Sequence, residues 1–540
     1  MKKRLFYRIS RRMSHPLIDA TIFAGRGQTS HQCATIAATQ IASKPYPSNP
    51  ATCLLMQKTA LLALALSLTV FPPLPHAADD ISKIELPDMG DSSGTLITPE
   101  EEKQLGAAFF RSLNSQISIN QDPEIQQYIQ SIGQKLVTVS DLPGYPFHFF
   151  VVLENDVNAF AGPGGYVGVN AGLILITEAE SELASVMSHE IAHVTQRHLY
   201  RAAEAAGRLS LPTAAATLAA ILLGTQAPQL GQAALIAIQA GSIQFQIDFT
   251  RENEEEADRV GMHILSESQF DPRSMPTFFE RLQQSTRYYG QNIPEFLRTH
   301  PVTASRISDS RGRADQYPYK QYPDSLGYQL IRAKLRVMAG TDPGETRKYF
   351  ASRLNQGTDE QRTVATYGLG LTALAQQKFT EAEPIFQKLA SDFPAQSQYG
   401  AALARTALEQ RQFGKALALY EKLSGRFPEN EAIKLEYITS LLKTDQAEKA
   451  RKTLFSLSAN TQKLPVYYQM LAETYGKLHQ PAESHRYFAE YYYAMGQTRD
   501  AITQIRLAQK SKGLNFYLSS ILSERLSFFI DEDRKAREAR

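Results

Sequence analysis

A 34-residue period in the C-terminal part restricts this chain more than any other feature. Ala382, Ala416 and Ala450 are spaced by 34, and Ser484 falls one period further on. Four residues after each comes a bulkier side chain: Phe386, Tyr420, Leu454 and Phe488. Pro394 and Pro428 share the period, as do Leu369, Leu403, Tyr437 and Leu471. A small residue at a fixed crossing point lets two helices approach, and a proline ends the second helix of a unit because it has no N–H to donate. Such columns predict helix pairs stacked from about Tyr328 onward, with a concave face suited to peptides or partner proteins. An unrelated bundle would have to reproduce every column by accident.

A 34-residue helix-pair unit of this kind is the tetratricopeptide signature. Ahead of it, from Leu86 to about Tyr317, helical and extended patterns are mixed. The fold class expected is therefore mainly α with a small β-sheet, followed by an all-α solenoid. Thr98–Leu113 opens with Glu100, Glu101 and Glu102, which suits a helix N-terminus, and Ile125–Val139 repeats apolar residues at helical spacing. Pro146–Leu153 (PFHFFVVL) reads as a buried strand. Asn158–Asn170 (NAFAGPGGYVGVN) has a Pro-Gly-Gly turn before a short strand, Tyr166–Val169, and predicts a hairpin. Helices are expected over Glu178–Arg201, Asn253–Ser266 and Met275–Thr286. Three parts follow: 1–78, removed on export; 79–320, a catalytic domain; and 325–540, the repeats.

The first part is read from MQKTALLALALSLTVFPPLPHAADD, beginning at Met56. Its apolar stretch, Thr59–Phe71, spans only about 20 Å as a helix, short of a hydrocarbon core of about 30 Å, so it is an export signal rather than an anchor. Cleavage is expected at Ala77 or Ala78, with translation starting at Met1 or Met56. No other segment reaches the roughly 18 apolar residues of a spanning helix. Leu209–Gln239 comes nearest but is broken by Pro212 and Pro228, and reads as two apolar helices held against the protein. Processing also changes the charge. Nine of the 57 Lys+Arg and one of the 55 Asp+Glu lie in residues 1–77, so a net +2 becomes −6, which disfavours nucleic acid as a partner. Cys33 and Cys53 leave with the same segment, so a metal site in the mature chain must use His and carboxylate.

The chemistry sits at Val186–His198, VMSHEIAHVTQRH. His189 and His193 are four apart, so a helix projects both imidazoles from one face, where they can hold one metal ion. Glu190 between them is placed to take a proton from a water that the metal makes acidic. His198 lies nine residues beyond His189, about half a turn around a continuing helix, and is expected to be a helix-end cation. A third ligand is needed. In Glu252–His263, ENEEEADRVGMH, Glu254 and Asp258 share a face; Glu254 could ligate while Asp258 orients a ligand histidine, and Gly261 would permit close helix packing.

HEIAH, followed by NEEEADRVG at Asn253–Gly261, resembles the zinc metallopeptidase family of the CAAX prenyl proteases and HtpX. The NAFAGPGG hairpin, ELPDMG at Glu85–Gly90, LRTHPVTASR at Leu297–Arg306, the export signal and the repeats narrow the likeness to periplasmic, repeat-bearing members. The resemblance implies a zincin-like fold and one Zn²⁺ per chain held by His189, His193 and Glu254. It further implies Glu190 as general base, Asp258 in support, and His300 as a fourth, inhibitory ligand that keeps the enzyme latent. Thr303 stands where the family's His-Pro-Leu-Pro has its second proline, which leaves the His300 loop less stiff. Leu209–Gln239 falls where the family has a mobile cover over the cleft. A prenylated substrate is not expected, because the mature chain lacks spanning helices.

These readings describe a monomeric periplasmic zinc metalloendopeptidase with chaperone-like activity. Its implied partners are outer-membrane β-barrel precursors and, through the repeats, the barrel-assembly machinery. The strand Tyr166, Val167, Gly168 and Val169 is expected to pair antiparallel with an extended substrate. The competing reading is a repeat-based scaffold whose plugged zinc site seldom cuts.

Overall fold

The computed structural model describes residues 97–201, 251–289 and 294–538. The export segment and Leu209–Gln239 lie outside them. Helix α1 (Pro99–Asn114) starts at a reciprocal cap: the Thr98 hydroxyl accepts from the Glu101 N–H at 3.2 Å, and the Glu101 carboxylate accepts from the Thr98 N–H at 2.8 Å. Pro99 at the first helical position reinforces that start. Asp122 caps α2 (Pro123–Val137) one way, its carboxylate accepting from the Glu124 and Ile125 N–H groups at 3.1 and 3.2 Å.

Three strands follow: β1 (His148–Val152), β2 (Ala159–Gly162) and β3 (Tyr166–Asn170). The turn between β2 and β3 places Gly164 at φ +71° and Gly165 at φ +75°, a region that glycine enters freely, and the expected hairpin forms. The sheet order, however, is β1-β3-β2. β3 pairs antiparallel with β2, Val167 opposite Ala161, and parallel with β1, Gly168 opposite Phe150. This overturns the expectation that Tyr166, Val167, Gly168 and Val169 receive the substrate, because both edges of their strand are already used. On the far side of β1, Ser118 and Asn120 complete the ladder through Leu153 N–H to Ser118 O at 2.9 Å and Asn120 N–H to Val151 O at 2.8 Å. Among the described residues, the outer edge of β2 has no partner strand.

Helices α3 (Ala171–Ile176), α4 (Glu180–Thr195), α5 (Arg251–Glu267), α6 (Ser274–Tyr289), α7 (Glu295–Thr299) and α8 (Ala304–Ala314) complete this half. α4 is buried from Glu180 to His193, packed among β2, α2 and α5. The helix expected to reach Arg201 stops at Thr195, where Gln196 and Arg197 form a turn with Arg197 at φ +56°.

Helices α9 (Leu326–Ala339) and α10 (Pro343–Ala351) lead into paired α11 (Asp359–Ala375) and α12 (Phe379–Asp392), α13 (Ser397–Glu409) and α14 (Phe413–Arg426), α15 (Glu431–Lys443) and α16 (Ala447–Phe455), and α17 (Pro465–Lys477) and α18 (Pro481–Ala494). α19 (Thr498–Gln509) and α20 (Phe516–Glu538) close the array. The period is also written in the backbone. Gln377, Arg411, Asp445 and His479, 34 apart, all adopt φ of +56° to +60° just after the first helix of a pair. Each carries the two closing bonds of a Schellman turn, such as Lys378 N–H to Ala373 O at 2.8 Å and Gln377 N–H to Leu374 O at 2.9 Å. The turn seats Ala382, Ala416 and Ala450, all fully buried, against the preceding helix.

The repeats bend back onto α1 and α2. Lys334 pairs with Asp122 at 2.7 Å, Gln127 Oε1 accepts from the Ala432 N–H at 3.0 Å, and Glu532 pairs with Arg111 at 3.3 Å. No described helix is long and apolar enough to cross a membrane.

Candidate metal centre

α4 presents His189 and His193 one turn apart, with their Nε2 atoms 3.0 Å from each other. α5 lies alongside and offers Glu254, whose Oε2 is 3.5 Å from His189 Nε2 and whose Oε1 is 3.4 Å from His193 Nε2. His300, just past α7, closes the fourth side: its Nδ1 is 2.9 Å from Glu254 Oε1 and 3.4 Å from His189 Nε2. One ligating atom from each of these four residues lies within 4.8 Å of all the others, and all four residues are buried. Glu190 adjoins them, with Oε1 3.5 Å from His300 Nε2. Asp258 Oδ1 is 3.0 Å from His189 Nδ1. The structure thus brings together every metal and catalytic residue expected from the sequence, while the substrate strand β3 is enclosed in the sheet.

Charge balance shows what this cluster lacks. Glu190, Glu254 and Asp258 bring three carboxylates into a region where each is at most 2% exposed. One permanent cation among the described residues offsets them: Arg306, itself buried. Its Nε and Nη2 bond the two oxygens of Asp258, both at 2.7 Å, in a bidentate fork. Its Nη1 reaches Glu254 Oε2 at 2.7 Å and Pro301 O at 3.0 Å. With the imidazoles in the neutral form that binds a metal, two negative charges remain, the complement of one divalent ion. Five of the six residue pairs approach to 2.9–3.5 Å and the whole set lies within 4.8 Å, which fits the ligand shell of a small ion.

The ionisation of each group follows from these contacts. Burial disfavours a charge on Glu254, but His300, His189 and His193 hold its carboxyl well below the usual carboxylate range. Burial likewise opposes ionising Asp258, and Arg306 and His189 more than offset it. Burial acts against charging His189, yet its bonds to Asp258 and Glu254 prevail and raise its pKa to about 9. Burial pushes His193 well below its ordinary value and pushes Glu190 up.

Two features depart from the sequence expectations. Thr303 replaces a stiffening proline with a different restraint: it caps α8, its hydroxyl accepting from the Arg306 N–H at 3.2 Å. His198 is no helix-end cation. It is fully buried, burial pushes its pKa down, and its Nδ1 lies 2.9 Å from His193 Nδ1. Its Nε2 lies 3.0 Å from Glu256 Oε2 on α5. Arg306 carried no signal of its own beyond following His300 by six residues.

Residues 123–314 match the pattern of peptidase family M48, and residues 407–474 match a tetratricopeptide repeat. A Vibrio cholerae protein provisionally named a beta-barrel assembly-enhancing protease is 42% identical over 413 residues, covering 76% of this chain and 85% of that relative. The beta-barrel assembly-enhancing protease of Escherichia coli K12 is 33% identical over 483 residues, 89% of this chain and 98% of the relative. More distantly, the mitochondrial metalloendopeptidase OMA1 of Schizosaccharomyces pombe is 28% identical over 180 residues, 33% of this chain and 50% of that one.

Proposed function

Because this chain belongs to the M48 metallopeptidases, and among them to the family of the beta-barrel assembly-enhancing proteases, we propose that it is a periplasmic zinc endopeptidase acting on misassembled outer-membrane β-barrel precursors. The observation that carries this reading is the buried donor cluster, whose three carboxylates exceed the charge of Arg306 by two once the imidazoles are neutral, as metal ligands must be. Its spacings approach the edge of about 3.3 Å expected for a tetrahedron of ligands 2.0–2.1 Å from zinc. His189, His193 and Glu254 hold the ion in this reading, and Asp258 steadies His189. Zinc held there would supply Lewis acidity toward the scissile carbonyl and make a neighbouring water acidic. Glu190 takes that water's proton and passes it to the leaving amine; burial raises its pKa, which makes it a stronger base toward that water.

The unpaired edge of β2 replaces β3 as the strand that receives an extended substrate. The Ala161 backbone on it lies near enough to favour the ionised Glu190 carboxylate, so a segment added antiparallel there would run beside the base. Backbone pairing of this kind tolerates many sequences, and unpaired strands are what a stalled barrel precursor presents. Residues 79–320 act as the peptidase in this reading. The repeats at 325–540 recruit the barrel-assembly machinery or its clients to a monomer. A mature net charge of −6 without cysteine suits an oxidising periplasm.

The experiment is Glu190→Gln. The variant should keep its zinc and lose cleavage of a misassembled barrel protein; continued degradation would sink the catalytic assignment. His300 seated beside Glu190 favours a second, compatible reading, a scaffold that rarely cuts. Support of barrel assembly by the same variant in cells would favour that reading.

A further inference from the structure

The chain does something unusual directly after its second ligand histidine. α4 ends at Thr195, and Gln196 and Arg197 turn the backbone, with Gln196 N–H bonded to Ala192 O at 2.9 Å and Arg197 N–H to Val194 O at 3.0 Å. Arg197 sits at φ +56°, a left-handed conformation that is sterically unfavourable for a non-glycine residue. Had the helix continued, residue 198 would point about 140° away from His193 around the axis. The turn instead brings His198 back beside it, ring centroids 4.9 Å apart and planes at 77°, with the two Nδ1 atoms at 2.9 Å.

We propose that His198 and Glu256 are positioning residues for the metal centre, fixing the ring of His193 so that its Nε2 keeps a lone pair for the ion. The hydrogen positions follow one from another. His193 Nε2 faces Glu254 and His189, among the ligating atoms, so the ring's hydrogen must be on Nδ1. That N–H donates to His198 Nδ1, which leaves the hydrogen of His198 on Nε2. There it donates to Glu256 Oε2 at 3.0 Å, an oxygen that Arg201 Nη1 also holds at 3.1 Å. The His198 side chain is 0% exposed, so bulk water does not reach its ring. The two ligand imidazoles are therefore anchored differently, His189 directly by Asp258 and His193 through a histidine relay to Glu256.

This inference rests on the zinc reading above, and the test separates the two. Zinc dissociation constants are measured on the full chain by competition with a chromogenic chelator. His198→Phe keeps the ring volume without the acceptor and should weaken zinc binding by about 10- to 100-fold, the usual cost of losing an outer partner. His198→Asn places Oδ1 where Nδ1 stood and should restore most of the affinity. His198→Gln reaches toward Glu256 but offers no acceptor to His193, and should resemble His198→Phe. Glu256→Leu, at a partly exposed position, should weaken binding as well and remains informative if the phenylalanine variant does not fold. Equal affinity for the asparagine and glutamine variants, or no effect of Glu256→Leu, would overturn the relay. Wild-type chain that held no zinc would instead defeat the underlying reading.

Discussion

Gly261 lies against the backbone of His189: a Cβ at Gly261 would stand 3.0 Å from the His189 nitrogen and 3.1 Å from its Cα. α4 and α5 touch at this point, and the missing side chain sets how far Glu254 and Asp258 must reach to meet the histidines. Gly261→Ala should push α5 outward by a few tenths of an ångström, since the opposing atoms are backbone and cannot swing aside. Overpacking of this kind costs about 1–3 kcal/mol. The expected result is a lower melting temperature together with weaker zinc binding, both worse in Gly261→Val. A variant with lower stability and unchanged zinc affinity would show that this contact does not set the metal geometry.

Arg306 is the buried counter-charge of the site. Removing one partner of a buried ion pair leaves the other uncompensated and costs about 3–5 kcal/mol. Arg306→Leu would strand Asp258 and Glu254, whereas Arg306→Lys keeps the charge without the fork that grips both Asp258 oxygens. Calorimetry should rank the melting temperatures wild type, lysine, leucine in descending order. A leucine variant as stable as wild type would mean that the site tolerates an extra negative charge, contrary to the balance drawn above.

The parts of the site readable from sequence are those in which helical spacing alone makes a face. His189 with His193, Glu254 with Asp258, and the columns from Ala382 to Ser484 are all of this kind. β3 was not readable in full. Its composition marks a strand, but nothing in Tyr166–Asn170 says that Phe149 and Phe150, distant in the chain, take its second edge. His198 was misplaced for a different reason. The turn that redirects it uses Arg197 in a left-handed conformation, and arginine gives no hint of this as glycine or asparagine would. Arg306 was missed because a buried arginine is recognised by the carboxylates around it, and those come from another helix.

Proton and metal compete at His189. Burial lowers its pKa, but Asp258 and Glu254 more than offset this and lift it from 6.5 to about 9. A raised pKa means that protonation stabilises the metal-free fold fully below pH 6.5, and that this stability is lost as pH rises through about 9. Metal-free protein should therefore melt at progressively lower temperature from pH 6.5 to 9. Zinc must displace the same proton, so its affinity should rise over that range, with about one proton released per zinc near neutral pH. Titration in weak buffer measures the release. Zinc uptake without proton release would contradict the assigned state of His189.

His300 sits where an attacking water or a substrate carbonyl would have to approach Glu190. It is held there by several restraints: its N–H bonds Phe296 O at 2.7 Å, its ring packs 4.9 Å from the Phe296 ring, and Pro301 O is tied to Arg306. None of these requires the imidazole to touch Glu254, so the loop should survive its removal. His300→Ala should open the fourth side while His189, His193 and Glu254 still hold zinc, and should cleave an unfolded barrel substrate several-fold faster than wild type. Zinc content is measured alongside, because a gain in rate with metal retained points to relief of a plug, while a loss of both would make His300 a structural ligand. An unchanged cleavage rate in zinc-loaded His300→Ala would end the case for latency.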